Sequence, residues 1–538
     1  MAGSGVTEDS ISPAATPGRP QQQFEVQEPT TSTIGNAANL QGDPSHDENE
    51  PDDMAYPTGT KRWLAVSSLF AAAVLHGLDL TIVAAAIPSL TNDFHTLDDI
   101  GWYSSAYSLM AASFSFVWSR LYTRTSHTSG PKWTYLAALC IFELGSLLCT
   151  VAPTSSMLGI VSSPIVGGAL IDWLRTWRGC FGINLPLGAA AIVFIVFGFK
   201  GDVGLISRTA HHLREFDILG TFLMLPAITT FLLALQWGGN RHPWTDSRII
   251  ALFVLSAVLL GAFAWRQRVL LESRATLPPR IVKMRSVLAG AWFTACTNAT
   301  LAVTEYYVTI YFQGVRGLSA MQSGLMMLPM LIGITVGGLL SGVGISRMGY
   351  YNPFMIAATL LAPVAAGLLT TTGLDDPDAK VPSLLGFLGV AVGLGIQTPT
   401  IALQTVMKPA DLPMGIALLG FGATMGNAVW IVVSAALFQG RLGVEIAAHL
   451  ASAAGGGGGG AGAAAGGEVL GNLTHTILTG EVGLSEIRDL VGGDRLRDVL
   501  LGYDEALTQT MYLPLALTIA MVVGCVFTEW QSVKKKQS

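Results

Sequence analysis

Residues 63–90 read WLAVSSLFAAAVLHGLDLTIVAAAIPSL, an apolar run in which Asp79 is the single formally charged side chain. A helix crosses a bilayer in about 20 residues, so this run is long enough to span one. A carboxylate near the centre of such a helix costs about 2.5 to 3.5 kcal/mol on insertion scales. A residue kept at that cost faces a cavity or a partner, which makes Asp79 a functional candidate as well as a marker of compartment.

Outward from this run the same pattern recurs. The chain has 538 residues, 51% of them hydrophobic and only 12% charged, with a mean hydropathy of +0.50. A soluble protein of this length needs more surface charge, so the composition describes an all-α polytopic membrane protein. About twelve apolar segments are long enough to count, among them Trp102–Leu121, Trp133–Val151, Ile218–Trp237, Val287–Phe312, Leu384–Gln404, Met414–Phe438 and Met511–Trp530. Basic residues gather at every second connection: at Lys61 and Arg62, Arg120 to Lys132, Lys200 to Arg214, Arg266 to Arg285, Arg347, Lys408 and Lys534 to Lys536. The positive-inside rule then places these connections and both termini in the cytoplasm.

The first 60 residues form an acidic tail, polar and rich in Pro, Gln, Ser and Thr, with no signal peptide, and are expected to be disordered and cytoplasmic. Ten acidic residues there against Arg19 give −9, so the rest of the chain is +3 and the net −6 says nothing about substrate. The five cysteines form no CxxC pair, which excludes a disulfide framework or a zinc site. Between Arg441 and Thr510 lies an outer connection with the run Gly455 to Gly460, the composition of a flexible linker. Within it Asn472-Leu473-Thr474 is a glycosylation candidate on the side where glycosylation occurs, and Asp494 to Gln509 reads as a polar helix leading into the last span.

No phosphate loop, GxSxG elbow or HExxH pair occurs, and His211 and His212 lie in a solvated loop, so neither an ATP motor nor an enzyme is expected, and no cofactor or metal. What remains is polar residues within spans: the carboxyl groups of Asp79, Glu143 and Glu305, with Gln397 and Asn427. In a low-dielectric cavity the neutral form of a carboxyl group is favoured, so it can load and release a proton near physiological pH. Asp79, Glu305 and Glu143 are therefore proton-coupling candidates, against the alternative of helix-packing hydrogen bonds. Gly333, Gly337, Gly338 and Gly342 in one span and Gly386, Gly389, Gly393 and Gly395 in another leave close-packing faces. One segment breaks the count: Ser155 to Ile171 is apolar and nearly long enough to span, yet inserting it inverts the charge pattern of every later loop.

The motif around Asp79, closed by Ile87-Pro88, resembles the first helix of the fourteen-span drug:proton antiporters of the major facilitator superfamily. Lys132-Trp133-Thr134-Tyr135-Leu136 with Phe142-Glu143-Leu144-Gly145-Ser146-Leu147 is similar to the third helix of the fungal toxin and multidrug efflux members. Trp177-Arg178 with Ile183-Asn184-Leu185-Pro186-Leu187-Gly188, then Pro278-Pro279-Arg280-Ile281, Tyr306-Tyr307 with Tyr311-Phe312-Gln313, and Tyr503-Asp504 continue the resemblance in order, over roughly Trp63 to Val533. The segment that breaks the count then resembles the end of the antiporter motif of the family's fifth helix, with Pro164, Gly167 and Gly168 as its remnant. The body of the family's fourth helix and the start of the fifth are absent, about sixty residues if two helices and a loop are missing.

The resemblance implies a major facilitator fold of two helical bundles with two extra central helices, the N-terminal bundle lacking most of its fourth and fifth helices. The expected division is tail 1–60, truncated N-terminal bundle 61–200, central helices and linker 201–285, C-terminal bundle 286–440, outer loop 441–509 and last helix 510–538. It implies an exporter of small amphipathic molecules by proton antiport, acting in the lipid bilayer as a monomer, with no nucleic acid partner, in the plasma membrane or the vacuolar membrane. Tyr306, Tyr307, Gln397 and Asn427 are the substrate-cavity candidates, since aromatic and amide groups suit flat, weakly polar ligands. An importer, for example of a chelated metal, and a non-transporting product lacking two helices are the other readings.

Overall fold

The protein was examined as a computed structural model, which describes residues 130–150, 184–198, 217–239, 242–270, 277–455 and 493–536, with scattered positions between 59 and 122. Asp79, Pro164, Gly167, Gly168 and Asn472 lie outside the described residues.

The described architecture is all-α. Its helices are α1 (Gly130–Thr150), α2 (Asn184–Gly198), α3 (Ile218–Trp237), α4 (Ser247–Val269), α5 (Arg285–Ile310), α6 (Ala320–Met348), α7 (Asn352–Leu369), α8 (Lys380–Ile396), α9 (Thr398–Val406), α10 (Leu412–Gly455), α11 (Gly493–Thr510) and α12 (Tyr512–Phe527). Seven helical stretches among the described residues are long and apolar enough to cross a membrane, and 185–197 and 219–235 are shorter apolar helices. This is a multi-pass membrane protein. Its exposed large side chains, Phe222, Trp265, Leu339 and Phe527 among them, are apolar as lipid contact requires.

Local chemistry sets the helix ends. Ser319 and Gln322 cap each other reciprocally at the start of α6, satisfying two otherwise orphaned backbone donors. Gly349 closes the same helix at φ +80°, a conformation that favours glycine. The Leu384–Gln404 span is broken at Gln397, because Pro399 lacks the amide that would continue the ladder, and resumes as α9. The Met414–Phe438 span does not stop at Phe438: α10 continues to Gly455, into the stretch read as a flexible outer connection. The polar helix expected before the last span is α11.

Ion pairs sort into two layers. At the end carrying the basic connections, here called inner, Arg280 pairs with Asp411 (2.9 Å), Arg285 with Glu529 (2.8 Å) and Arg266 with Asp217 (2.8 Å). At the opposite end Arg316 pairs with Asp378 (3.1 Å), Lys380 with Asp376 (2.7 Å) and Arg497 with Asp375 (3.1 Å). The helices between alternate in direction, as the charge pattern of the loops requires.

The glycine faces do two different things. A Cβ at Gly333 or Gly337 of α6 would run into the backbone of α8 at Gly386, Val390 and Leu394, and one at Gly389 or Gly393 into the backbone of α6 at Met330 and Ile334. These four let α6 and α8 touch backbone to backbone. Gly342 meets nothing within 4 Å, and Gly338 only the Gly393 carbonyl at 3.9 Å.

Candidate functional site

Helix α5 is the spine of the site, and its neighbours fix the level of each candidate. A Cβ at Gly422 of α10 would lie 2.8 Å from the Ala291 carbonyl oxygen, and one at Gly426 would lie 2.6 Å from that of Ala295, so α10 runs parallel to α5 in backbone contact. Asn427, next to Gly426, therefore sits at the level of Ala295, with its Oδ1 buried and unpartnered. Gln397 lies nearer the inner end, because Pro399 two residues on packs at Gly290. Glu305, Tyr306 and Tyr307 lie in the outer half. From residue 290 to residue 305 is about 22 Å along a helix. The candidates are strung along the axis of α5; they are not gathered in one pocket.

The two adjacent tyrosines have different surroundings. Tyr307 is 1% exposed and Tyr306 52%. Tyr307 packs against Phe438 (centroids 5.4 Å apart), which packs against Tyr503 of α11 (5.5 Å), and Tyr306 meets the edge of Tyr307 (5.1 Å). Glu305 and Tyr306 are both exposed, on the same turn of α5 as the buried Tyr307. No ion pair or hydrogen bond to the Glu305 carboxylate occurs among the described residues.

Toward the inner end lies a cluster of apolar side chains that sequence reading did not single out. Phe116 meets Phe421 of α10 at 5.1 Å between centroids, in a cluster with Met224 and Ile228 of α3, Leu403 and Met407. Phe116 comes from the second sequence-predicted span, so this plug joins the N-terminal part of the chain to the C-terminal helices. No period or motif distinguishes a plug phenylalanine from any other apolar residue in a span.

Three polar groups complete the description. Glu143 of α1 has both carboxylate oxygens buried and, among the described residues, unpartnered, and lies against Gly188 of α2. Asp217, with a fully buried side chain, accepts hydrogen bonds from the Gly220 amide, Arg266 Nε and Gln267 Nε2, each at 2.8 Å, while Gln267 Oε1 accepts from the Leu277 amide at 3.1 Å. Burial alone raises the Asp217 carboxyl, but these donors bring it below the usual carboxylate range. The network ties the α3–α4 hairpin to the linker before α5; its signal in the sequence is an aspartate directly before an apolar run, an N-cap pattern. At the outer end Arg316, after a π turn at Tyr311–Val315, donates to Asp378 (3.1 Å), the Asp376 carbonyl (2.6 Å) and the Tyr311 hydroxyl (2.9 Å).

The chain belongs to the Major Facilitator Superfamily, whose family model matches residues 69–158 and 151–430. It is a secondary transporter of small molecules, not an enzyme. It is 35% identical to the MFS-type transporter astH of Aspergillus oryzae, over 95% of this chain and 94% of that one. It is also 35% identical to the efflux pump roqT of Penicillium rubens (92% and 96% covered) and to the aspyridones efflux protein of Neocamarosporium betae (91% and 91%). The family match comes in two pieces that meet at residues 151–158, inside the region where the sequence departs from the expected span count. The alignment to astH runs over 560 positions, more than the 538 residues of this chain, so astH carries residues that this chain lacks.

Proposed function

We propose that this protein exports small amphipathic molecules by proton antiport, as a monomer of the fourteen-span drug:proton antiporter type in the plasma membrane. The observation that carries this reading is the pair Glu305 and Tyr306 on α5, an exposed carboxyl group with no ion pair among the described residues beside an exposed aromatic ring; in this reading both line an internal recess. A substrate with a flat apolar body is held by such rings, and a carboxyl group that exchanges its proton with the recess couples that binding to the proton gradient. Two of the fungal relatives are named as an efflux pump and an efflux protein, which supports export over import. Asp79 is the second proton-carrier candidate, and Gln397 and Asn427 are contacts at lower levels of the same path.

The test is drug resistance in a host deleted for its own pumps. Asp79→Asn and Glu305→Gln should each abolish the resistance conferred by the wild-type chain while surface expression stays intact. Unchanged resistance removes that residue from the mechanism, and net uptake of labelled substrate in place of extrusion replaces the exporter with an importer. A second reading is favoured by the break in the family match at residues 151–158: a chain without the family's fourth and fifth helices that no longer transports. Sequencing the transcript across Gly159 to Ser162 separates the two, since a longer transcript restores the missing helices.

A further inference from the structure

We propose that Glu143, seated on Gly188, is a proton-carrying site in the N-terminal half of the chain, and that Gly188 is the residue that positions it. Helices α1 and α2 pack through Leu136, Leu139, Ala191 and Ile195, with Leu75 of the first span in the same apolar cluster. The helices are antiparallel: Lys132 Nζ donates to the Val196 carbonyl at 2.8 Å at the inner end, and Glu143 meets Gly188 further along. Eleven residues separate Glu143 from Lys132, which places the carboxyl group about 16 Å deeper along the helix, near the middle of the bilayer.

Both Glu143 oxygens are buried there, and among the described residues neither has a hydrogen-bond partner. Helix α2 carries no ionisable side chain. On α1 the other titratable groups are Lys132, Tyr135, Cys140 and Cys149; Lys132 caps α2 at its end, Cys140 is exposed, Cys149 follows about 9 Å further along the helix, and the buried Tyr135 hydroxyl, about 12 Å back, has no partner among the described residues. Leu75 and Ala71 are the residues of the first span packed in this cluster. An ionised carboxylate with neither cation nor donor is strongly disfavoured in such surroundings, whereas the neutral acid is tolerated. Glu143 in this seat therefore carries its proton, and out of the seat, in contact with water, it gives the proton up.

The seat depends on glycine. A methyl group at position 188 would overlap the Glu143 carboxyl group and its Cγ. Because Gly188 lies inside α2, where glycine destabilises a helix relative to alanine by roughly 0.5–1 kcal/mol, its presence there has a packing or functional reason. The carboxyl group it accommodates is that reason.

The use of this proton in transport rests on the antiport reading; the seat itself does not. Infrared difference spectra of the full-length chain in lipid vesicles should show a neutral-carboxyl C=O stretch at pH 7 that is lost in Glu143→Gln. The same band should be lost in Gly188→Ala, whose methyl group expels the acid. In ΔpH-driven efflux from the same vesicles, Gly188→Ala should displace the pH profile while Glu143→Gln flattens it. Absence of the band in the wild-type chain, or its persistence unchanged in Gly188→Ala, overturns the proposal. Should Gly188→Ala fail to fold, the Glu143→Ala/Gly188→Ala pair should regain wild-type thermal stability, and no recovery also overturns the seat. A wild-type chain that shows the band but no ΔpH-driven transport leaves the seat standing and removes the antiport reading instead.

Discussion

Three acidic residues show three ways of holding a carboxyl group in or near an apolar helix bundle. Glu305 is exposed, Glu143 has its oxygens buried against a glycine, and Asp217, at the inner edge, is ionised and held by three donors. Replacing the Asp217 carboxylate by an amide leaves one acceptor oxygen for three donors and removes the charge that Arg266 faces. Because Arg266 is a third exposed, Asp217→Asn should cost about 2–3 kcal/mol, somewhat less than breaking a fully buried pair, read as a lowered thermal unfolding midpoint. Glu143 and Glu305 were legible in the sequence, since a charged residue in an apolar run stands out by type alone. What each faces was not legible, because the seat of Glu143 is a glycine 45 positions away on another helix, and a glycine carries no side chain to declare its partner.

At the level of helices, glycine spacing in α6 and α8 announced close packing, but the spacing did not say which glycines pack. The structure separates them, and the difference is measurable. Gly393→Ala places a methyl group into the Ile334 backbone and should destabilise the chain by about 1–3 kcal/mol, as overpacking does. Gly342→Ala fills open space and should be neutral or stabilising by up to about 1 kcal/mol through helix propensity. Thermal stability of the two detergent-purified variants decides. The outer loop between α7 and α8 adds a pH dependence. Lys380, with the Gly373 amide, holds the Asp376 carboxyl below the usual carboxylate range against the effect of burial. A lowered folded value means stability that is present above the unfolded value of about 3.9 and lost as pH falls through the folded one. The unfolding midpoint should therefore hold from neutral pH down to about 5 and fall below about 4, and Asp376→Asn should reduce that acid-induced fall.

For the molecule as a whole, the C-terminal helices are bound at both ends, and among the described residues an apolar contact reaches them from the N-terminal part. At the inner end the segment after α12 is fastened to the α6–α7 turn: Val533 donates to the Gly349 carbonyl (2.8 Å), Lys534 to that of Arg347 (2.6 Å), and the Tyr351 hydroxyl to that of Glu529. At the outer end Arg316 and α11 hold the loop after α7. These bonds tie the C-terminal helices to one another, and among the described residues the Phe116–Phe421 contact is one place where the N-terminal part meets them. If alternating access opens this plug, cysteines at positions 116 and 421 in a background free of native cysteines should cross-link and arrest transport, with recovery on reduction. Cross-linking that leaves the transport rate unchanged removes the plug from the gating motion.

The sequence by itself determined the compartment, the all-α class, the alternating direction of the spans and the departure from the expected span count near residues 155–171. These follow from properties summed over many residues, namely hydropathy, loop charge and ordered motifs, which no single contact can alter. Only the tertiary structure decided that the substrate-cavity candidates lie along one axis, that Tyr307 is core while Tyr306 is exposed, and that Glu143 lies against Gly188. Each of those depends on which faces of distant helices meet, and within a bilayer lipid and helix interior are equally apolar, so composition cannot tell a face that packs from one that does not.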